Sequence, residues 1–232
     1  MGIALKEKTG LTGNQLKLVA MAAMTLDHIG AYLLPQVLIL RIIGRLALPI
    51  YAYMIAEGCR YTRNRKKYLL RIAGLAAVCQ TVYFFAMGSL YQCILVTFSM
   101  GIALIYALDY TEKRKKWAVG LAALAAAFFV CSILPDLLSG TDFGVDYGIW
   151  GVLLPVLIYF ARSKWEKLGM LTLGLAMLGF SYGWAQLFAL ATVPLLMLYN
   201  GQRGKHAMGM VFYLYYPAHL VVIYLLGLVL YA

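Results

Sequence analysis

A handful of ionisable side chains in this 232-residue chain sit where apolar neighbours should exclude them. Asp27 and His28 are adjacent in Met24-Thr25-Leu26-Asp27-His28-Ile29-Gly30, inside one apolar run. Arg41 and Arg45 fall four residues apart in a second run that also carries Glu57, and His219 lies in the last. Lys17 precedes His28 by eleven residues. An imidazole takes up and releases a proton near neutral pH, guanidinium groups hold anions, and a carboxylate pairs with either. Each such group costs roughly 2.5–3.5 kcal/mol to place at the centre of a membrane helix, so its presence there points to function by default.

Helical spacing predicts how these groups share faces. Eleven residues are close to three whole turns, which puts Lys17 and His28 on one face about 16 Å apart. Arg41 and Arg45, at i and i+4, also share a face. Depth places both near the level of His28, and His219 as well, so a cluster of two histidines, two arginines and an aspartate is expected with a lysine below it. Simpler roles compete with each assignment. Asp27 can pair with an arginine rather than orient His28, because consecutive helical residues point about 100° apart. Arg41 can snorkel to headgroups and Lys17 can anchor at a surface. His219 can satisfy a carbonyl freed by Pro217, and Glu57 can pair with Arg60 at i+3.

The elements that would hold these groups follow from composition. Only 12% of residues are charged, 63% are hydrophobic and mean hydropathy is +0.80. A soluble fold lacks the polar residues to cover itself at that composition, so a soluble enzyme, a disordered tail and a nucleic-acid binder are all excluded despite the net charge of +11. The expected architecture is all-α: a polytopic integral membrane bundle of about nine transmembrane helices in one domain over residues 1–232. The spans are expected at 16–34, 37–58, 68–87, 91–109, 117–134, 147–161, 168–183, 184–199 and 209–230. The sixth to eighth are short enough for one to be re-entrant. No period-2 alternation suggests a β-barrel, and no internal repeat suggests a duplicated transporter.

Loop charge orients the bundle. Lys6 and Lys8 precede the first span, and basic groups lie at Arg60–Lys67, Lys113–Lys116, Arg162–Lys167 and Arg203–Lys205. The intervening loops carry no Lys or Arg, and one holds Asp136, Asp142 and Asp146. With nine spans every basic loop falls on one side, which predicts a cytoplasmic N-terminus and an extracytoplasmic C-terminus. Trp117 and Trp165 then mark inner ends, Trp150 and Trp184 outer ones. No cleavable signal peptide is expected. The four cysteines form no C-x-x-C pair and there is no acidic cluster, so no metal is expected. Cys93 and Cys131 fall at outer ends, yet free thiols are the better expectation.

Leu16-Lys17-Leu18 through Leu26-Asp27-His28-Ile29-Gly30 resembles the opening of the TraX family. So does Leu40-Arg41-Ile42-Ile43-Gly44-Arg45-Leu46-Ala47-Leu48-Pro49, followed by Glu57-Gly58 and the Arg60–Arg71 basic stretch. Later matches are Asp146-Tyr147-Gly148 with Gly151, Tyr199-Asn200-Gly201-Gln202-Arg203-Gly204, and Phe212-Tyr213 with Tyr216-Pro217-Ala218-His219-Leu220. TraX-like proteins are grouped with acyltransferase-3-type membrane acyltransferases, and Lys17 to His28 has the spacing of their Arg/Lys-x10-His motif. The resemblance implies an O- or N-acetyltransferase of the bacterial inner membrane that uses acetyl-CoA. Acetylation of a pilin N-terminus belongs to one branch and is not carried over; a surface glycan, a lipid-linked sugar or a peptide N-terminus all remain open as acceptor, and oligomeric state is open too.

On that implication His28 serves as general base, Arg45 or Arg41 holds the oxyanion or an anionic acceptor, and Asp27 belongs to the catalytic group. His219 and Glu57 are secondary substrate contacts. Lys17, Arg63, Arg71, Asn200 and Arg203 are expected to meet CoA phosphates, although topology alone explains most loop cations. Arg203 is the exception, since Gly201 and Gly204 permit close backbone approach to phosphate. Two variants stay open, direct transfer or an acetyl-His28 intermediate. The rival class is a small proton- or substrate-coupled permease using His28, Asp27 and Arg45 as relay or binding groups. A non-catalytic membrane partner is the third reading.

Overall fold

The computed structural model of the chain describes residues 9–205 and 208–231, so Lys6 and Lys8 lie outside the described residues. These residues are helical, with isolated bridges at Leu11–Tyr199 and Gln92–Val145 and no strand among them. Five stretches are long and apolar enough to cross a membrane: Leu38–Tyr61, Arg65–Met87, Ile94–Arg114, Trp117–Leu137 and Val211–Leu230. Their surfaces suit lipid. Phe85, Leu121 and Val229 are 79%, 71% and 79% exposed, which water would penalise along so many helices.

The chain divides into two compact units, residues 1–51 with 188–232, and residues 52–187. In the first, α1 (Gly13–Tyr32) begins at a capping box in which Thr12 and Gln15 exchange side-chain and backbone hydrogen bonds. It stops before Pro35, where the amides of Leu33 and Leu34 both donate to Ile29 O at 2.9 Å. Helix α2 (Leu38–Gly44) packs back on α1, and α3 (Ala47–Tyr61) starts a turn later. Expected as one helix over 37–58, this span breaks at Gly44–Leu46. Pro49 explains the break: it has no N–H for the carbonyl of Arg45 four residues earlier, and its ring crowds that oxygen.

The C-terminal part of this unit contributes α10 (Thr192–Met197) and α11 (Gly209–Tyr231). Residues 10–14 and 198–203 are joined by backbone bonds from Leu11 N to Leu198 O, Asn200 N to Leu11 O, Gly13 N to Gln202 O and Asn14 N to Arg203 O. Those from Gly13 and Asn14 satisfy two of the amides that a helix N-terminus otherwise leaves open. Helix α11 runs parallel to α1. Going up the pair, Lys17 meets Phe212, Thr25 meets Tyr215, His28 meets His219, and Leu33 lies beside Gly227.

The second unit contains the rest of α3 and α4 (Arg65–Met87), α5 (Ile94–Arg114), α6 (Trp117–Phe128), α7 (Leu134–Leu137), α8 (Gly148–Phe160) and α9 (Lys164–Tyr182). Asn64 caps α4 by accepting from Lys67 N at 2.8 Å, and Gly88, at φ 65°, ends it in the left-handed region that costs glycine nothing. A π-helical turn, Phe129–Ile133, joins α6 to α7. Pro135 lacks an N–H for the carbonyl of Cys131, and the wider turn absorbs that gap. Helix α5 packs on α4, α6 and α8, with Ile102, Ile105, Leu154 and Ile158 fully buried between helices. Gly101 permits the α5–α8 approach: a Cβ there would lie 2.9 Å from Pro155 Cγ and 3.0 Å from Val152 O. Over 184–199 a 3₁₀ segment, Trp184–Ala191, leads into the short α10, and the two make up a short apolar helical stretch, Trp184–Met197.

Polar groups collect at both ends of the second unit. At one end the hydroxyl of Ser89 and the amide of Leu90 donate to Asp142, and Tyr91 Oη donates to Asp146 Oδ1 at 3.1 Å. The bond from Ser89, then that from Leu90 N–H, holds the Asp142 carboxyl below the ordinary carboxylate range. This tie is intact at neutral pH and loosens only as pH falls through the lowered value. At the other end Asp109 pairs with Arg65 and, at 3.0 Å, with Lys113. Glu57 does not pair with Arg60 as the i+3 spacing predicts. Arg60 donates instead to the carbonyls of Tyr159 and Ala161 at the end of α8, which lack amide partners in their own helix. Glu57 meets Lys167 at 2.6 Å, both almost wholly buried. Removing one partner strands the other charge, so Glu57→Ala is expected to cost about 3–5 kcal/mol. Thermal unfolding in detergent measures this, and Glu57→Leu with Lys167→Leu should recover most of the loss.

Candidate functional site

The first unit brings together most of the intramembrane charge in the sequence. Asp27 is the one carboxylate among this unit's described residues, and both arginines turn to it. Arg41 Nη1 donates to Asp27 Oδ2 at 2.6 Å and to its backbone oxygen at 3.2 Å, while Arg45 Nη2 lies 3.8 Å from Oδ1. Arg41 therefore turns inward rather than snorkelling, though a third of its side chain stays exposed. Gly44 makes the contact possible, since a Cβ there would lie 2.7 Å from Asp27 Cγ. Gly30 does the same for Arg41, whose Cγ and Cδ would each sit 3.3 Å from an added Cβ. Two guanidinium groups against one carboxylate leave the cluster net positive.

His28 occupies the neighbouring face of α1. Its Nδ1 lies 2.9 Å from Met24 O and 3.1 Å from Nε2 of the buried His219. His219 is not satisfying the carbonyl that Pro217 frees, which belongs to Tyr213; its Nδ1 lies 2.9 Å from Tyr215 O. Aromatic rings wall the pair. Tyr32 is parallel to His28 at 6.0 Å, and Tyr215 parallel to His219 at 5.2 Å. The Tyr215 hydroxyl meets Thr25 Oγ1, which in turn donates to Met21 O at 2.9 Å. Thr25, Tyr32 and Tyr215 were not singled out from sequence, although each tyrosine stands four residues from a histidine, a spacing that makes rings neighbours on a helix. Arg41 is close enough to act electrostatically on His28.

Below this cluster, Lys17 Nζ lies over the Phe212 ring at 5.2 Å, near enough to Arg203 for the like charges to repel. Arg203 is exposed on the loop between Gly201 and Gly204, whose φ of 77° and 104° only glycine adopts freely. Asn200 belongs to the same loop and donates to Gly10 O at 3.2 Å. This group of cations is the natural place for an anion. Glu57, Arg63 and Arg71 belong to the second unit. Arg63 is exposed there, and Arg71 lines an open depression of about 400 Å³ with Asn64, Lys66, Lys67 and Leu70. Among the described residues no three His, Cys, Asp or Glu side chains are placed to hold a metal ion.

Comparison with known proteins supplies the context for this cluster. The chain is 25% identical to the "Probable fimbrial assembly protein FimC, serogroup H1" of Dichelobacter nodosus, over 90% of this chain and 93% of that protein. A shorter stretch of 38 residues is 55% identical to an uncharacterised protein of Rickettsia prowazekii, covering 16% of this chain and 15% of the other. No solved structure matches. The family model described as TraX protein matches residues 12–227, from the cap of α1 nearly to the end of α11. That match takes in most of the chain, with every residue of the His28–His219 and Asp27–Arg41–Arg45 clusters inside it, and the chain belongs to the TraX protein family.

Proposed function

We propose that the chain is a membrane acetyltransferase that moves an acetyl group from cytoplasmic acetyl-CoA to a hydroxyl or amine of an extracytoplasmic or membrane-associated acceptor. The observation that carries this reading is the position of His28 beside Asp27, whose carboxylate both Arg41 and Arg45 face, inside a TraX-family chain, a family associated with pilin acetylation. The relative named as a fimbrial assembly protein supports keeping a peptide N-terminus among the candidate acceptors, beside surface glycans and lipid-linked sugars.

In this reading the chain is a multi-pass protein of the bacterial inner membrane with nine spans, N-terminus in and C-terminus out. The parallel course of α1 and α11 supports an odd number of crossings. The ends of the second unit support the orientation, with Arg60, Arg65, Lys113 and Lys167 at one and Asp142 and Asp146 at the other.

Each residue then has a task. His28 removes the proton from the attacking O–H or N–H as that atom bonds to the thioester carbon. Arg45 or Arg41 stabilises the oxyanion that develops on the carbonyl oxygen. As the C–S bond breaks, His28 returns the proton to the departing thiolate. Asp27 holds the two arginines in place. Lys17, Asn200 and Arg203, with Arg63 and Arg71 as further cations, suit CoA phosphates. Glu57 is committed to Lys167 and takes no part.

The test uses the purified protein in proteoliposomes, supplied with acetyl-labelled acetyl-CoA and a bacterial membrane extract. Label should appear in a membrane component. Mass spectrometry of cells with and without the protein should show that component losing one acetyl group. Solute uptake with no dependence on acetyl-CoA would instead make it a permease.

A further inference from the structure

The hydrogen bonds around the two histidines carry information that their positions alone do not. We propose that His219 is a positioning residue that, together with the Met24 carbonyl, holds His28 with Nδ1 protonated and Nε2 as the nitrogen that accepts the proton. The assignment rests on the acetyl-transfer reading for its purpose, but on hydrogen-bond chemistry for its content.

His219 Nδ1 lies 2.9 Å from Tyr215 O, and a carbonyl oxygen only accepts, so this nitrogen carries the hydrogen. A neutral imidazole has a single N–H, which leaves a lone pair on His219 Nε2. That lone pair faces His28 Nδ1 at 3.1 Å, and the hydrogen between them belongs to His28. Met24 O, 2.9 Å from the same nitrogen, demands the same hydrogen independently. His28 Nδ1–H is thus shared between two acceptors in a three-centre hydrogen bond. The remaining ring nitrogen, Nε2, holds the free lone pair.

The surroundings keep this arrangement from relaxing. Since Thr25 Oγ1 donates to Met21 O, the Tyr215 hydroxyl donates to Thr25. This bond pins α11 to α1 one turn below the dyad. The parallel rings of Tyr32 and Tyr215 restrict how far either imidazole can tilt. When His28 Nε2 takes a proton, the charge spreads over the ring to Nδ1–H. Two acceptors already grip that group, and a bond from a charged donor is about twice as strong as a neutral one. His219 therefore assists the step without touching either substrate. Its expected place as a substrate contact gives way to this one.

The test has two parts that fail separately. First, ring-¹⁵N-histidine NMR of the wild-type protein in liposomes at about pH 8.5, where an ordinary imidazole is neutral, reads the tautomer of His28 directly, with the signal assigned by its loss in His28→Gln. Protonated Nδ1 and bare Nε2 are expected; a hydrogen on Nε2 overturns the proposal. Second, His219→Leu should lower kcat about 100-fold while leaving KM for acetyl-CoA within about twofold. His219→Gln, whose amide oxygen reaches the position of Nε2, should stay within about tenfold of wild type. A leucine variant as fast as wild type also overturns it. Wild-type protein that transfers no acetyl group refutes the acetyltransferase reading, while the NMR result still decides the tautomer.

Discussion

Replacing His28 with alanine is expected to lower acetyl transfer in proteoliposomes by about 10²–10⁴-fold, the usual contribution of a general base. Stability should change far less. The ring is only partly buried, and its loss removes one shared hydrogen bond and one parallel ring contact with Tyr32. A net hydrogen bond is worth about 1 kcal/mol, so the thermal midpoint in detergent should fall only slightly. Binding of acetyl-CoA should also persist, because Lys17 and Arg203 lie apart from the imidazole on other parts of the unit. A variant that still binds, still unfolds near the wild-type temperature and transfers no acetyl group identifies His28 as the base. Transfer at the wild-type rate would remove it from the mechanism.

Asp27 should behave in the opposite way, with folding suffering first. Asp27→Leu strips the carboxylate that faces Arg41 and Arg45 and leaves two guanidinium groups in apolar surroundings. Breaking a buried pair in this way costs about 3–5 kcal/mol, and the partial exposure of Arg41 argues for the lower end. Because Arg41 also grips the backbone oxygen of Asp27, the damage should spread to the packing of α2 on α1. Asp27→Asn, which keeps an acceptor oxygen, should cost less. Gly44→Ala tests the same contact from the other helix by driving a methyl group into the Asp27 carboxylate, at about 1–3 kcal/mol. Thermal midpoints of the three variants in detergent give the order. If Asp27→Leu unfolds at the wild-type temperature, the cluster is not a structural tie.

Much of this organisation is legible in the sequence because apolar length and charge placement act locally. The helices Arg65–Met87 and Gly148–Phe160 lie within a few residues of where hydropathy predicts them. Prolines carried further local information. Pro49 and Pro135 each leave a carbonyl four residues back without its amide, and both the break after Gly44 and the π turn at Phe129–Ile133 follow. The candidate cluster was visible only as a set of faces and depths. Helical spacing says which side of a helix a residue occupies, but not which helix lies opposite.

What the sequence by itself determined is therefore the inventory: an all-helical, lipid-suited chain, a short list of charges that hydrocarbon should reject, and the faces they share. Tertiary structure decided the partners. Glu57 could reach Arg60 by local spacing, yet Arg60 is drawn to carbonyls at the end of α8 that lack amides, and Lys167, 110 residues away, takes the carboxylate. His28 and His219 are 191 residues apart, and no periodicity links them. They meet because α11 runs parallel to α1 and the Thr25–Tyr215 bond sets its register. In a low-dielectric interior a polar group must find a partner wherever the fold supplies one. The choice among distant partners is made only when the helices pack.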